Sequence, residues 1–196
     1  MTQLVLGLGN PGLRYLNTRH NIGFLVADAL ARRAFVGLDK SQGGALVAKA
    51  RLADTPVVIG KPQDFMNRSG GSAQALSAFY KVAPPEVIVV HDDLDLSFGD
   101  VRLKSGGGHG GHNGLRDIIA KLGSADFVRV RVGIGRPPPQ WNTADYVLGG
   151  WSAEELTSLD VVVLEAVDAV EAVLREGVQR AMNSVNARNR GGPPAR

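Results

Sequence analysis

Residues 4–12 read LVLGLGNPG, an apolar run of strand length that ends in a glycine-rich turn. Its last six residues, GLGNPG, satisfy the pattern G-x-G-x-x-G, which opens the helix of a dinucleotide-binding turn. In that turn the helix begins at the third glycine, so that its N-terminus faces a pyrophosphate. Here the helical pattern begins only near Asn21, and the acidic residue expected about 20 positions further on would be Asp28, inside that pattern. The context therefore argues against a dinucleotide site.

The glycines of this turn need another explanation. We expect Gly7, Gly9 and Gly12 to let the backbone turn sharply after a buried first strand and to present Asn10 in a cleft.

Strand and helix patterns alternate along the rest of the chain. Residues 46–52 and 56–60 are β-rich runs around ADTP, which predicts a hairpin, and EVIVVHDDLD (86–95) is an apolar strand running into an acidic loop. Apolar residues at helical spacing occur in four segments, 21–34, 67–82, 113–123 and 151–177. The alternation predicts the α/β class, a single domain over residues 1–186 with a mixed twisted β-sheet flanked by helices. Residues 187–196 are predicted to be a disordered tail.

Finer expectations follow from the same patterns. We expect Phe79 and Tyr80 to face inward from their helix, and Leu156 to lie on the buried face of the last one. Ser152 and Glu155 form a predicted capping box at the start of that last helix. The segments VRLK (101–104) and FVRVRVGIG (127–135) alternate charge with apolar residues, which predicts half-exposed strands. Within 113–123 we expect a buried stripe and a stop at glycine, formed by Leu115, Ile118, Ile119, Leu122 and Gly123.

Composition and charge limit the class of protein. The 196 residues include no cysteine and are 44% hydrophobic and 21% charged, which excludes a disulfide scaffold and a thiolate nucleophile. No apolar run approaches the roughly 20 residues of a membrane span, so we expect a cytoplasmic protein. The net charge of +3 is unevenly placed, because residues 97–136 carry seven Lys or Arg against three Asp, whereas residues 152–174 carry six acids and no base. This pattern favours a local site for a polyanion, with solvated surface charge as the alternative.

Polar side chains that could do chemistry cluster after predicted strands. They are Asn10, residues 18–21 (TRHN), residues 65–67 (FMN), residues 91–93 (HDD) and residues 106–114 (GGGHGGHNG). Loops beyond the carboxyl ends of the strands of an α/β sheet converge on one crevice. A histidine, an aspartate and several amides in such a crevice suit the activation of water.

A metal site remains an alternative at this point. Its ligands would come from His91, Asp92, Asp93, Asp95, His109 and His112. Their spacing does not follow the order of a known zinc site.

Four ordered segments carry a resemblance to a known family. They are GLGNPGLRYLNTRHNIG (7–23), KPQDFMNRSG (61–70), HDDLDLSFGDVRLKSGGGHGGHNGLRDII (91–119) and RVRVGIGRP (129–137). Together they resemble the successive signatures of bacterial peptidyl-tRNA hydrolases from residue 4 to about residue 150. The resemblance implies an enzyme that cleaves the ester joining a peptide to tRNA, without a metal or cofactor, and so recycles tRNA during translation.

The resemblance also implies roles for individual residues. His20 is similar to the catalytic base of the family and Asp92 to the carboxylate that supports it. Asn10 and Asn67 resemble the amides that grip the peptidyl end, and Asn113 the amide near the attacking water. The remaining implied substrate- and tRNA-binding residues are Tyr15, Phe65 and Met66 in the cleft, and Lys104 and Arg131 at the 5′ phosphate of the tRNA.

Two departures from the family pattern lie beside these residues. Arg68 stands where Leu or Asn is common, and His109 where Ser is common. We expect a monomer whose partner is peptidyl-tRNA. A non-catalytic RNA-binding module is the rival interpretation, and it leaves His20, Asp92 and the asparagines unexplained.

Overall fold

A computed structural model describes residues 1–188 of the chain. Seven strands form one sheet in the order β2-β3-β4-β1-β5-β7-β6. The strands are β1 (Gln3–Gly7), β2 (Lys40–Gln42), β3 (Ala45–Leu52), β4 (Thr55–Pro62), β5 (Val87–Asp93), β6 (Val101–Ser105) and β7 (Val128–Gly133). Strands β4, β1, β5 and β7 run parallel, and β2, β3 and β6 pair antiparallel at the two sides of the sheet. The predicted α/β class, mixed sheet and hairpin are confirmed.

Helices cover both faces of the sheet. They are α1 (Ile22–Arg33), α2 (Ser69–Tyr80), α3 (Asn113–Leu122), α4 (Thr143–Val147), α5 (Ala153–Glu176) and α6 (Val178–Arg188). Helices α1, α5 and α6 pack their apolar residues on one face of the sheet, and α2 and α3 pack theirs on the other. Burial of these apolar faces is the main favourable contribution to folding. Within residues 1–188, no helix is both long and apolar enough to span a membrane.

The glycines after β1 serve mainly to let α1 approach. A Cβ on Gly7 would lie 2.1 Å from the carbonyl oxygen of Gly23, and one on Gly9 would lie 2.7 Å from the ring of Phe24. Of these three glycines, only Gly12 has a positive φ, at 109°. The expectation that all three glycines turn the chain is therefore wrong for Gly7 and Gly9, which make room for a helix. Helix α1 begins at Ile22, well after Gly12, as the argument against a dinucleotide turn requires.

Several expectations about side-chain burial need correction. Phe79 is 64% exposed and Leu156 is 57% exposed, so neither is buried as expected, whereas Tyr80 is half-buried against the core. Strand β7 is nearly all buried instead of half-exposed, and it carries a buried Arg129. By contrast, the capping box of Ser152 and Glu155 at the start of α5 is confirmed.

Helix α6 was not predicted from the sequence. It continues to Arg188, two residues beyond the expected domain boundary at 186. The Asn186 side chain accepts a hydrogen bond from the Leu103 amide at 2.8 Å and donates one to its carbonyl at 3.0 Å. The helix thereby covers part of the free edge of β6, a protection that edge strands commonly need. The rest of the expected tail, residues 189–196, lies outside the described residues.

Candidate active site

The central feature of the site is a hydrogen bond between His20 and Asp92. His20 lies in a short 3-10 turn (Arg19–Asn21) just before α1, and Asp92 lies near the carboxyl end of β5. The His20 Nδ1–H donates to Asp92 Oδ2 at 2.8 Å, and the side chains are only 12% and 2% exposed. The other ring nitrogen, Nε2, is on the opposite side of the ring, and His20 lines a cleft. The pair therefore has the arrangement of a general base held by a carboxylate.

A second histidine binds the other oxygen of the same carboxylate. His112 Nε2 lies 2.8 Å from Asp92 Oδ1, while His112 Nδ1 accepts hydrogen bonds from the amides of Gly114 and Leu115 at 3.1 and 3.3 Å. These partners require the proton of a neutral His112 to be on Nε2, since Nδ1 acts as the N-cap acceptor of α3. From the sequence, His112 was considered as part of the polar segment 106–114 and as a possible metal ligand, and its contact with Asp92 was not foreseen. Its position directly before a helix was the one signal for the capping role.

The electrostatic balance of this group favours a charged Asp92. Burial disfavours the carboxylate, but the charges of His20 and His112 and their hydrogen bonds outweigh it and lower the pKa of Asp92. For His20, burial opposes protonation, yet the charge and hydrogen bond of Asp92 raise its pKa above 6.5. A raised pKa makes the neutral imidazole a stronger base for a proton of water.

His91 is buried behind this group in a different state. Its Nδ1–H donates to the Asp92 carbonyl oxygen at 2.7 Å, and its ring lies 5.0 Å from that of His112. Burial, followed by the charge of His112, lowers the pKa of His91 to about 3. His91 is therefore a neutral structural residue near pH 7.

Three of the described side chains offer ligand atoms close enough to hold a metal ion, namely His20, Asp92 and His112. This set differs from the one that the sequence left open. Asp93 and Asp95 pair with Arg131 and Arg136, and His109 accepts a hydrogen bond from Gly111 within its own loop. In the set of three, each imidazole donates a hydrogen bond to the carboxylate. These hydrogen bonds account for the cluster without an ion.

Asn10 is fixed at the base of the cleft by its neighbours. Its backbone amide donates to Asn21 Oδ1 and its carbonyl accepts from Asn21 Nδ2, each at 2.9 Å. Its side-chain Oδ1 accepts from the Met66 amide at 2.7 Å. The Met66 contact holds Oδ1 in place, and the Nδ2 group, the only donor of the Asn10 side chain, is left for a substrate. Asn21 was recognised only as part of a polar segment, and its role as the clamp of Asn10 was missed.

The cleft has a volume of about 660 Å³ and brings together most of the predicted site residues. Its lining includes Asn10, His20, Phe65, Met66, Asn67, Asp92, Lys104, Asn113 and Arg131, together with His109. Tyr15 is not part of this lining; its ring packs edge-on against Phe65 at 6.3 Å. Arg68 is exposed at the start of α2 and does not line the cleft.

One wall of the cleft is cationic. Strands β6 and β7 place Lys104 opposite Arg129 and Arg102 opposite Arg131, all on one face of the sheet. Arg131 donates to Asp93 Oδ2 at 2.7 Å, whereas exposed Lys104 has no acidic partner among residues 1–188. Like charges gathered on one face favour an anion, and a phosphate group satisfies this requirement.

A buried arginine connects the His20 turn to the C-terminal half of the chain. Arg19 pairs with Glu155 at 2.8 Å, and its guanidinium lies over the Tyr146 ring at 4.3 Å. Glu155 also accepts from the amide of Ser152 in the capping box at 2.7 Å. Sequence reasoning found the capping box and missed this second use of Glu155, which anchors the turn beside His20.

The fold and cleft define an α/β protein with a histidine–aspartate group suited to hydrolysis, beside a cationic wall. A family model described as peptidyl-tRNA hydrolase matches residues 4–192. Peptidyl-tRNA hydrolases of Nocardia farcinica and Rhodococcus erythropolis are 53% and 50% identical, over 93% and 94% of this chain and 95% and 98% of theirs. The crystal structure of the Acinetobacter baumannii peptidyl-tRNA hydrolase is 38% identical, with a TM-score of 0.88 and 95% of both chains covered. The chain belongs to the peptidyl-tRNA hydrolase family, whose members are hydrolases acting on the ester bond of peptidyl-tRNA.

Proposed function

We propose that His20 is the general base of this hydrolysis and that Asp92 holds it in place. The observation that carries the proposal is the hydrogen bond between His20 Nδ1 and Asp92 Oδ2 at 2.8 Å, at the edge of the cleft. It fixes the proton of neutral His20 on Nδ1 and leaves the lone pair of Nε2 for a water molecule. A positioned base of this kind contributes roughly 10²–10⁴-fold to the rate.

The reaction then proceeds in two proton transfers. His20 Nε2 takes a proton from water as the water oxygen attacks the ester carbonyl carbon, giving a tetrahedral intermediate. The bond between that carbon and the ribose oxygen then breaks, and His20 returns the proton to the ribose oxygen. The products are a tRNA with a free 3′ hydroxyl and a peptide with a free carboxylic acid, which releases its proton to solvent at neutral pH. The buried Asp92 stabilises the imidazolium that forms between these transfers.

The polar side chains around His20 are proposed to hold the two ends of the substrate. Asn10 donates its Nδ2 group to the first peptide bond, and Asn67 and Asn113 contact the peptidyl end and the attacking water. Phe65 and Met66, with Tyr15 behind Phe65, form the apolar side of this end of the cleft. Support comes from the fixed position of Asn10, since a preorganised donor loses little entropy on binding.

The tRNA is proposed to contact Lys104 and Arg131 through a backbone phosphate. Phosphate contacts position the substrate, and their affinity falls as salt rises. Lys104→Ala should therefore raise KM more than it lowers kcat, most strongly at low salt. We further propose that the protein acts as a monomer in the cytoplasm, where its substrate is made.

Hydrolysis of N-acetylated aminoacyl-tRNA, measured as release of the acetylated amino acid, tests this function. We expect the purified protein to release it without added cofactor and His20→Ala to lose nearly all of the activity while still binding tRNA. A parent protein that binds tRNA but releases no acetylated amino acid would favour the interpretation as a non-catalytic RNA-binding module. A fully active His20→Ala would remove His20 from the mechanism.

A further inference from the structure

Arg129 is a buried cation with an unusual set of partners. It is 3% exposed and has no carboxylate partner among residues 1–188. Its Nη1 and Nη2 groups instead donate to the backbone carbonyls of Gly108 and Gly107, and its guanidinium lies over the Phe127 ring at 4.9 Å. Burying a charge is costly unless it is well hydrogen-bonded. The two carbonyls supply charge-assisted hydrogen bonds that offset this cost.

The carbonyls belong to a loop, residues 106–112, that has few other restraints. Four of its glycines, at 106, 107, 110 and 111, have positive φ values. A Cβ placed on Gly108, Gly110 or Gly111 would meet no atom within 4 Å. Such a glycine-rich loop loses much conformational entropy when it is ordered. The two hydrogen bonds of Arg129 hold its first half against β7.

The other end of this loop carries active-site residues. His112 binds Asp92 Oδ1 and caps α3, and Asn113 is the first residue of α3 and lines the cleft. The loop between Gly106 and His112 therefore leads directly into both residues, and its path is one restraint on their placement, beside the packing of α3.

We propose that Arg129 is a positioning residue that fastens the glycine loop to the sheet and so holds His112 and Asn113 in the cleft. The inference rests on the proposed function of the site. Arg129 then differs from its neighbours on the cationic wall, because Lys104 and Arg131 act on the phosphate of the tRNA. A planar guanidinium can donate to two consecutive carbonyls at once, and a lysine ammonium cannot reproduce that fork.

Two substrates separate a positioning role from a phosphate contact. One is N-acetylated aminoacyl-tRNA with its 5′ phosphate, and the other is the same acetylated amino acid esterified to the trinucleotide CCA. We expect Arg129→Met to lower kcat by about tenfold on both substrates, because misplaced active-site groups slow the chemical step. The matched control Arg131→Met should raise KM roughly several-fold, and only on the tRNA substrate. The salt dependence of KM on the tRNA should be unchanged in Arg129→Met and weaker in Arg131→Met.

A second readout follows the loop itself. Amide hydrogen exchange at residues 106–112 should be faster in Arg129→Met by about tenfold and unchanged in Arg131→Met. Arg129→Lys keeps the charge and loses the fork, so it should show both effects even if Arg129→Met fails to fold.

Two results would overturn the inference. The first is a defect of Arg129→Met or Arg129→Lys that is confined to KM on the tRNA. The second is amide hydrogen exchange at residues 106–112 that is as slow in these variants as in the parent. A parent protein that is inactive on both substrates would instead refute the proposed function. If the parent is active and the Arg129 variants are fully active too, the positioning role alone is refuted.

Discussion

His112 makes two separable contacts, and substitutions can remove them one at a time. Its Nε2 group binds Asp92 Oδ1, and its Nδ1 atom caps α3. His112→Asn retains an N-cap acceptor, because Asn is among the strongest N-caps, but its shorter side chain loses the contact with Asp92. His112→Ala loses both contacts.

The burial of the pair sets the size of the expected effect. The side chains of His112 and Asp92 are 10% and 2% exposed, so the lost contact is a buried hydrogen bond to a charged group. Such a bond contributes about 1.5–3 kcal/mol to stability. We therefore expect His112→Asn to lower the free energy of unfolding by that amount. The lost cap in His112→Ala should cost about 1 kcal/mol more.

Urea unfolding at pH 7.5 measures these differences, and His109→Ala is the matched control. His109 is in the same loop and makes no contact with Asp92, its Nδ1 accepting from Gly111 instead. We also expect kcat of His112→Asn to fall on the order of tenfold, because a less restrained Asp92 positions His20 less well. A His112→Asn protein as stable and as active as His109→Ala would show that the second hydrogen bond to Asp92 contributes nothing, and the reasoning would fail.

Three further predictions concern other parts of the site. Asn10→Asp should erode discrimination between blocked and unblocked aminoacyl-tRNA, because a carboxylate attracts the α-ammonium of the unblocked substrate; equal rate ratios in parent and variant would exclude Asn10 from this selection. Activity should survive exhaustive chelation once the Mg²⁺ that the tRNA needs is restored, and a preparation that recovers only with Zn²⁺ would revive the metal interpretation. The pKa of His91 is lowered to about 3 from 6.5, so its contribution to stability is fully present above pH 6.5 and is lost as pH falls towards 3. Urea midpoints should accordingly fall over that range, and a His91→Phe variant with the same pH dependence as the parent would assign the loss to other groups.

Patterns of apolar residues predicted the sheet and most helices because their periods are set by local geometry. Helix α6 was missed because the preceding helix was taken to end the ordered pattern at Gly177. The apolar residues of α6 do recur at helical spacing, namely Val178, Ala181, Met182 and Val185. Phe79 and Leu156 follow the helical period and are exposed all the same. A period identifies a face of a helix, but it does not say which residues of that face the neighbouring elements cover.

Some parts of the active site could likewise be predicted from the sequence, and others could not. The segments around His20, Asp92 and Asn10 could be identified as polar clusters after strands, and the rule that such loops converge placed them in one crevice. The contact of His112 with Asp92 depends on a glycine-rich loop, whose path the residue types do not determine. Arg129 was counted only as one of the basic residues that favour a polyanion site, on a strand expected to be half-exposed, because alternation in a strand does not distinguish a solvated arginine from one that binds backbone carbonyls.

The pair of pH–rate profiles for the parent and Asp92→Asn tests the central claim most directly. Asp92 raises the pKa of His20 against the opposing effect of burial, so kcat/KM of the parent should rise with pH through a midpoint above 6.5 and then level off. Asp92→Asn removes the charge and leaves the burial, so the midpoint should move downward and the plateau should fall. Superimposable profiles would contradict the account, because they would mean that Asp92 does not act on the base.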